Sequence, residues 1–328
     1  MDSQADWRPT ADHHTLQRRA AMLAAAREFF GQLNVMEVDT PLLCASSVTD
    51  PHIESIAVTQ GTAAYWLRTS PEYHMKRLLA AGSGDIFQIG KAFRAGETGN
   101  RHQPEFTMIE WYRHDFGLEQ MIAETCQLIM SLSAHCESSI QDYERISYRD
   151  VFFNTIKLDP FNASTAELKS FCLASKQTGC DEALAKSLGS YRSGWLDLIA
   201  GTVIYPALSD GKLWVIDNYP ADQAMLARLD PEDSAIAERF EVFLNGLELA
   251  NGFHELNDAK EQYQRFDTDR RHRKTANLPD MTIDSRLISA LESGMPDCSG
   301  VAVGLDRVMM AAGNYTRISE TMSFPPTG

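Results

Sequence analysis

The tightest local constraint in this chain is an Asn245-Gly246 pair set between two apolar runs, ERFEVFL and LELANGF. A two-residue connection of this kind specifies a hairpin, because both central residues need positive φ and Asn-Gly tolerates it. Two strands must therefore pair antiparallel. The second carries Glu248 and Glu255 among Leu247, Leu249, Ala250 and Phe253. Carboxylates in so apolar a strand are costly unless a cation or a hydrogen-bond donor meets them. The plain reading is one exposed acid and one salt-bridged acid. The functional reading is a hard-cation site, since Mg²⁺ usually takes one or two carboxylates plus substrate phosphates.

Other elements follow from similar signals. Residues 12–30 read as an amphipathic helix capped by Asp12 and ended by Gly31. VMEVDTPLL (35–43) and YWLRT (65–69) are strand-like, with Pro41 near a strand end. Ser70-Pro71-Glu72 opens a helix in a favourable order: hydroxyl cap, proline in the first turn, acid near the positive dipole end. IFQIGKAFR (86–94) and EFTMIEWYR (105–113) form a second antiparallel pair around the loop AGETGNRHQP, long enough to expect a function for it. Residues 118–137, 256–275 and 284–292 read as helices, 140–208 as mostly helical, and KLWVIDNYP (212–220) as a strand. PDCSGVAVGLDRVMMAAG (296–313) reads as strand, turn and helix, with Asp306 at the helix start as a candidate cap. Helices covering an antiparallel sheet make an α+β architecture, and a single domain over 1–328 is the simplest account.

Charge narrows the partners. The 45 acidic and 30 basic residues give a net charge of −15, the wrong sign for a chain that mainly grips nucleic acid. No apolar run reaches the length of a membrane helix, and the amino-terminal MDSQADWRPTADHHTLQRR lacks a signal-peptide core. The six cysteines, Cys298 among them, form no Cys-x-x-Cys pair and read as reduced thiols, consistent with a cytoplasmic protein. Arg94 alone is most simply a solvated charge, and His102 alone a structural histidine.

Their order changes that reading. FFGQLNVMEVDTPLL with Pro41, then FRAGETGNRHQPEFTMIEWY, then ELANGFHEL, then GVAVGLDRVMM resemble the ordered signature motifs of class II aminoacyl-tRNA synthetases. HQPEFTMIEWY and NGFHELNDA resemble lysyl-tRNA synthetases in particular. No stretch corresponds to the anticodon-binding domain that precedes the catalytic domain there. TSPEYHMKRLL, ERFEVF, GMPDCSGVA and the overall length instead resemble the truncated paralogues, the elongation factor P–(R)-β-lysine ligases.

The resemblance implies ATP and Mg²⁺ as cofactors and an aminoacyl-adenylate intermediate. Arg94 would bridge the α-phosphate and attacking carboxylate, and Arg307 would cover adenine and the γ-phosphate; these two are the expected catalytic residues. Phe106 would stack on adenine, while Gly96, Glu97, His102, Gln103, Leu249 and Gly304 would line the nucleotide. Glu248 and Glu255 would associate with the metal. Glu72, with Ser70 and Pro71 before it, would receive the backbone ammonium of the amino acid. Glu110, Tyr112, Asn251, Phe253 and Glu255 would surround its side-chain ammonium, with Ala302 shaping the pocket. The implied reaction activates (R)-β-lysine and transfers it to the ε-amine of a lysine on elongation factor P, in a homodimer that needs neither tRNA nor membrane.

Three departures from lysyl-tRNA synthetases stand out. Arg94-Ala95-Gly96-Glu97 replaces Arg-Asn-Glu, shifting the glutamate by one; Ala302 replaces a glycine; Gln103 replaces an asparagine. The rival readings are a minimal tRNA-charging enzyme, a non-catalytic amino-acid sensor, and an ammonia-dependent asparagine synthetase. A cluster of glutamates suits a cationic substrate and disfavours the last.

Overall fold

The computed structural model describes residues 7–138 and 140–326. Residues 1–6 of the polar amino-terminal stretch and 327–328 of the expected domain lie outside them. Helix α1 (His13–Gln32) is capped by Asp12, which accepts from the Thr15 amide at 2.7 Å. Met22, Ala26 and Phe30, four residues apart, bury one stripe of it. Four short strands follow: β1 (Met36–Glu37), β2 (Leu43–Cys44), β3 (Ala57–Gln60) and β4 (Ala63–Leu67). Helix α2 (Glu72–Ala80) then leads to β5 (Ile86–Phe93), β6 (Glu105–His114) and α3 (Leu118–Ala134).

Within 140–208 the chain makes a strand, β7 (Tyr143–Ser147), before the expected helices α4 (Tyr148–Ile156), α5 (Thr165–Ala174), α6 (Glu182–Leu188) and α7 (Arg192–Ile199). The remainder is β8 (Leu213–Pro220), β9 (Ile236–Leu244), β10 (Leu247–His254), α8 (Ala259–Thr275), α9 (Ser285–Gly294), β11 (Cys298–Gly304) and α10 (Leu305–Ala312). The β9–β10 connection is the hairpin that Asn-Gly demands, with φ of 52° at Asn245 and 70° at Gly246. A Cβ on Gly246 would also lie 2.7 Å from the Tyr205 carbonyl, so only glycine fits.

Eight strands form one sheet in the order β1-β5-β6-β11-β10-β9-β8-β7, and β2-β4-β3 form a small second one. The six central strands pair antiparallel, whereas the edge strands β1 and β7 pair parallel to β5 and β8. The architecture is α+β. One face of the large sheet is sealed by α3 and α10 around Ile109, Trp111, Val301, Val303, Phe240 and Val242. The other face is divided. Beyond β10 it is covered by the 148–208 helices, whose Trp195, Leu196 and Ile199 share a core with Ile216, Phe243 and Phe253. Nearer β5 and β6 it bears polar side chains.

Asp306 does not cap α10; Gly304 occupies that position. The buried Asp306 carboxylate instead accepts from Arg19 Nη1 at 2.6 Å and from the Thr107 amide at 2.5 Å, tying α1, β6 and α10 together. Removing one partner of a buried pair leaves the other uncompensated, at a cost of about 3 kcal/mol. Asp306→Ala should lower the unfolding free energy by about that amount in urea titration. The double variant Arg19→Met, Asp306→Leu should recover part of the loss.

Candidate active site

Cross-strand register assembles the site. Gln88, Glu110, Ala302, Asn251 and Glu241 stand opposite one another on β5, β6, β11, β10 and β9, a single polar row. One step along the strands lies the row Ile86, Tyr112, Gly300, Phe253 and Arg239. Phe106, Met108, Glu110 and Tyr112 alternate onto the same face.

Glu248 reaches this face through an irregularity. It stands opposite Phe243, and Ala250 already stands opposite Val242, so the register slips between them. This bulge inverts the alternation. Without it, Glu248 and Asn251 would point to opposite faces.

One end of the face gathers nucleotide-type groups. Arg307 Nη1 donates to the Glu248 carbonyl at 3.1 Å and meets its carboxylate at 3.4 Å; Nη2 contacts His102 Nε2 at 2.6 Å. Burial, then the Arg307 charge, holds His102 below its ordinary pKa, so its Nε2 accepts from the guanidinium. Arg94 places its guanidinium 5.2 Å from the Phe106 ring centroid and 3.5 Å from Glu97. Its Nε is buried without a hydrogen bond. Gly96 takes a left-handed φ of 74° in the loop that carries these groups. Gln103 is buried beside them, and Gly304 and Leu249 flank Arg307 and Glu248 in sequence. Two arginines, an aromatic face and an unused buried donor suit a polyanion with a flat ring.

The other end gathers carboxylates. Glu110 accepts from Ser70 Oγ at 2.7 Å and from Tyr112 OH at 2.8 Å. Ser70 Oγ also accepts from the Glu72 amide at 2.9 Å, so the residues before α2 fix both acids. Glu72 and Glu255 share the buried ammonium of Lys76, at 2.7 and 2.6 Å. Burial, with Glu72 close by, pushes Glu110 up to about 7, and burial pushes Glu255 up to about 8 against the pull of Lys76. A surplus of buried negative charge marks a place for cations. A Cβ on Gly300 would lie 2.4 Å from Glu255 Oε1 and 2.3 Å from the Tyr112 ring, so the backbone must be bare here.

Glu248 and Glu255, the two carboxylates expected at the metal, stand near opposite ends of β10. Seven residues of extended strand separate them by roughly 20 Å, and Glu255 already faces Lys76. Glu241, on the neighbouring strand, lies on the same face as Glu248. Burial raises Glu241 to about 7; Arg239 opposes that rise, while Glu248 adds to it. Arg239 pairs with Glu241, and Asn251 and Tyr219 donate to the same carboxylate, at 3.3 and 2.7 Å. Among the described residues no group of three or more His, Cys, Asp or Glu forms a metal cage. Glu241 is thus engaged by its own neighbours, and a cation at Glu248 would need ligand oxygens to complete its shell.

Sequence reading missed Glu241, Arg239 and Lys76. The alternation ERFEVF places Arg239 and Glu241 on one face and was the available signal. For Lys76, helical spacing from Glu72 was visible, but its contact with Glu255 was not. Cys298 contributes its carbonyl, which accepts from the Glu255 amide at 3.0 Å; its thiol is buried in the core.

Charge-assisted hydrogen bonds to phosphate are worth about 1.5–3 kcal/mol. Arg307→Ala should therefore weaken triphosphate binding about tenfold to a hundredfold by isothermal titration, and unchanged affinity would remove Arg307 from the site.

A family model described as tRNA synthetases class II (D, K and N) matches residues 3–328. A Mannheimia succiniciproducens protein named elongation factor P–(R)-β-lysine ligase is 45% identical over 330 residues, 99% of this chain and 98% of its own length. Relatives of the same name from Haemophilus influenzae and Yersinia pestis are 43% and 42% identical, covering 99% of this chain and 98% and 99% of their own lengths. With its sheet, its two-ended polar face and these relatives, the chain belongs to the class II tRNA synthetase family (D, K and N).

Proposed function

We propose that this chain is an ATP-dependent ligase that activates (R)-β-lysine as its adenylate and passes it to the ε-amine of a lysine on elongation factor P. The carrying observation is the pairing of an arginine-rich end with a carboxylate-rich end on one sheet face. Relatives that match nearly end to end and bear that name support the choice of amino acid and acceptor.

In this reading the amino acid lies along the face with its ammonium groups among Glu72, Glu110 and Glu255, lined by Asn251, Phe253 and Ala302. Each ammonium needs an anionic partner once water is excluded. Its carboxylate oxygen attacks the α-phosphorus, and pyrophosphate leaves. Arg94 supplies a planar fork for the charge that builds on phosphorus, and Phe106 offers its ring to adenine. Arg307 steadies the terminal phosphates, helped by His102. The acceptor amine, deprotonated, then attacks the acyl carbon, and AMP departs with the electron pair of the acyl–phosphate bond. Glu248 is the carboxylate that would hold Mg²⁺, which would neutralise triphosphate charge when bound.

One catalytic domain acting as a homodimer, cytoplasmic and independent of tRNA, completes the proposal. The net charge of −15 supports a protein acceptor over a polyanionic one. No described helix is long and apolar enough to cross a membrane.

Intact-mass spectrometry of elongation factor P incubated with enzyme, ATP and (R)-β-lysine should show one added β-lysyl group. An unmodified factor beside a charged tRNA would reverse the assignment. The pKa directions add a second expectation. Glu110 and Glu255 ionise near pH 7 and 8, whereas a side-chain ammonium titrates near ~10.4. The KM for the diamino acid should thus fall as pH rises from 6 to 8.5. The KM for ATP should not follow, since neither acid lies at the arginine-rich end of the face; pyrophosphate-exchange kinetics at several pH values checks both.

A further inference from the structure

We propose that Lys76 is a positioning residue for amino-acid recognition: its ammonium holds the Glu72 and Glu255 carboxylates at a set separation, so that a diamino acid meets two fixed anionic ends. This rests on the function proposed above.

Lys76 is 2% exposed, so its charge is maintained only by what it touches. It touches two acids from unrelated parts of the chain. Glu72 is one helical turn earlier on α2, and Glu255 follows β10. The contacts are short, yet their angles leave Lys76 Nζ, Glu72 Oε1 and Glu255 Oε2 without well-formed hydrogen bonds. Both acids therefore retain capacity to accept from a further donor. Glu110, the third acid, depends on no cation for its placement, since two hydroxyls orient its oxygens. On its other side the bare backbone of Gly300 leaves room for the Glu255 carboxylate, whose backbone amide is held by the Cys298 carbonyl.

The charges are arranged to match a dication. Once all three acids are ionised, three carboxylates and one ammonium leave a net of two negative charges for two incoming ammonium groups. Their spacing depends on Lys76, because its Nζ is the common point between the helix and the strand. A lysine acting only as a pin between α2 and β10 would affect every substrate alike. A positioning lysine affects the amino acid alone.

Pyrophosphate exchange with the full chain separates these. Lys76→Met should raise the KM for β-lysine at least tenfold, with the KM for ATP within twofold and kcat within threefold of the parent. Lys76→Arg keeps the charge but reaches further. It should restore most of the affinity while changing the ratio of KM values for α-lysine and β-lysine at least threefold. A β-lysine KM within twofold in Lys76→Met, or parallel rises for both substrates, overturns the inference. Should Lys76→Met fail to fold, an unchanged isomer ratio in Lys76→Arg overturns it. A parent enzyme that exchanges with no diamino acid sinks the functional reading as well, whereas normal parent exchange with indifferent variants sinks this inference alone.

Discussion

The structure depends on keeping several carboxylates on a sheet whose opposite face is largely apolar. Trp111, Val301, Val303 and Phe240 seal one side against α3 and α10, and alternation along the same strands sends Glu110, Ala302, Asn251 and Glu241 to the other. Acids so placed lose their hydration, and each needs a local donor. Hydroxyls meet that need for Glu110, Arg239 and Tyr219 meet it for Glu241, and Lys76 meets it for Glu72 and Glu255. None of these arrangements exhausts the acids' accepting capacity. The resulting surface is stable enough to fold and still attractive to cations.

A division of labour follows from strand length. A strand advances about 3.3 Å per residue, so β10 carries Glu248 toward the arginine-rich end and Glu255 toward the carboxylate-rich end. The bulge after Glu248 brings the two onto one face. The helices of residues 148–208 close the far half of that face by packing on Phe243 and Phe253. A stretch with no chemistry of its own thereby forms a wall.

Much of this was legible in the residues. Asn245-Gly246 specified its hairpin, Asp12 its helix start, and the 86–113 pair its antiparallel register. Arg94, Phe106, His102 and Arg307 were picked out in order, and the two ends of the face contain them with Glu72, Glu110 and Tyr112. The parallel pairing of the edge strands, the strand at 143–147 and β3 of the small sheet were not visible, because short strands lack a periodicity long enough to read. Spacing along one strand suggested Glu248 and Glu255 as metal partners; the fold adds Glu241, across the hairpin from Glu248, as a further neighbour that linear spacing does not show.

The sequence by itself determined the turns, the amphipathic faces and the set of chemically capable side chains, since these depend on local φ preferences and on alternation. Tertiary structure alone decided which charges meet. Lys76 and Glu255 are separated by most of the chain's length, Arg19 and Asp306 by still more, and only the closed sheet brings them within 3 Å. Electrostatic partnership depends on distance through space and on the loss of water around a pair, and a linear order of residues specifies neither.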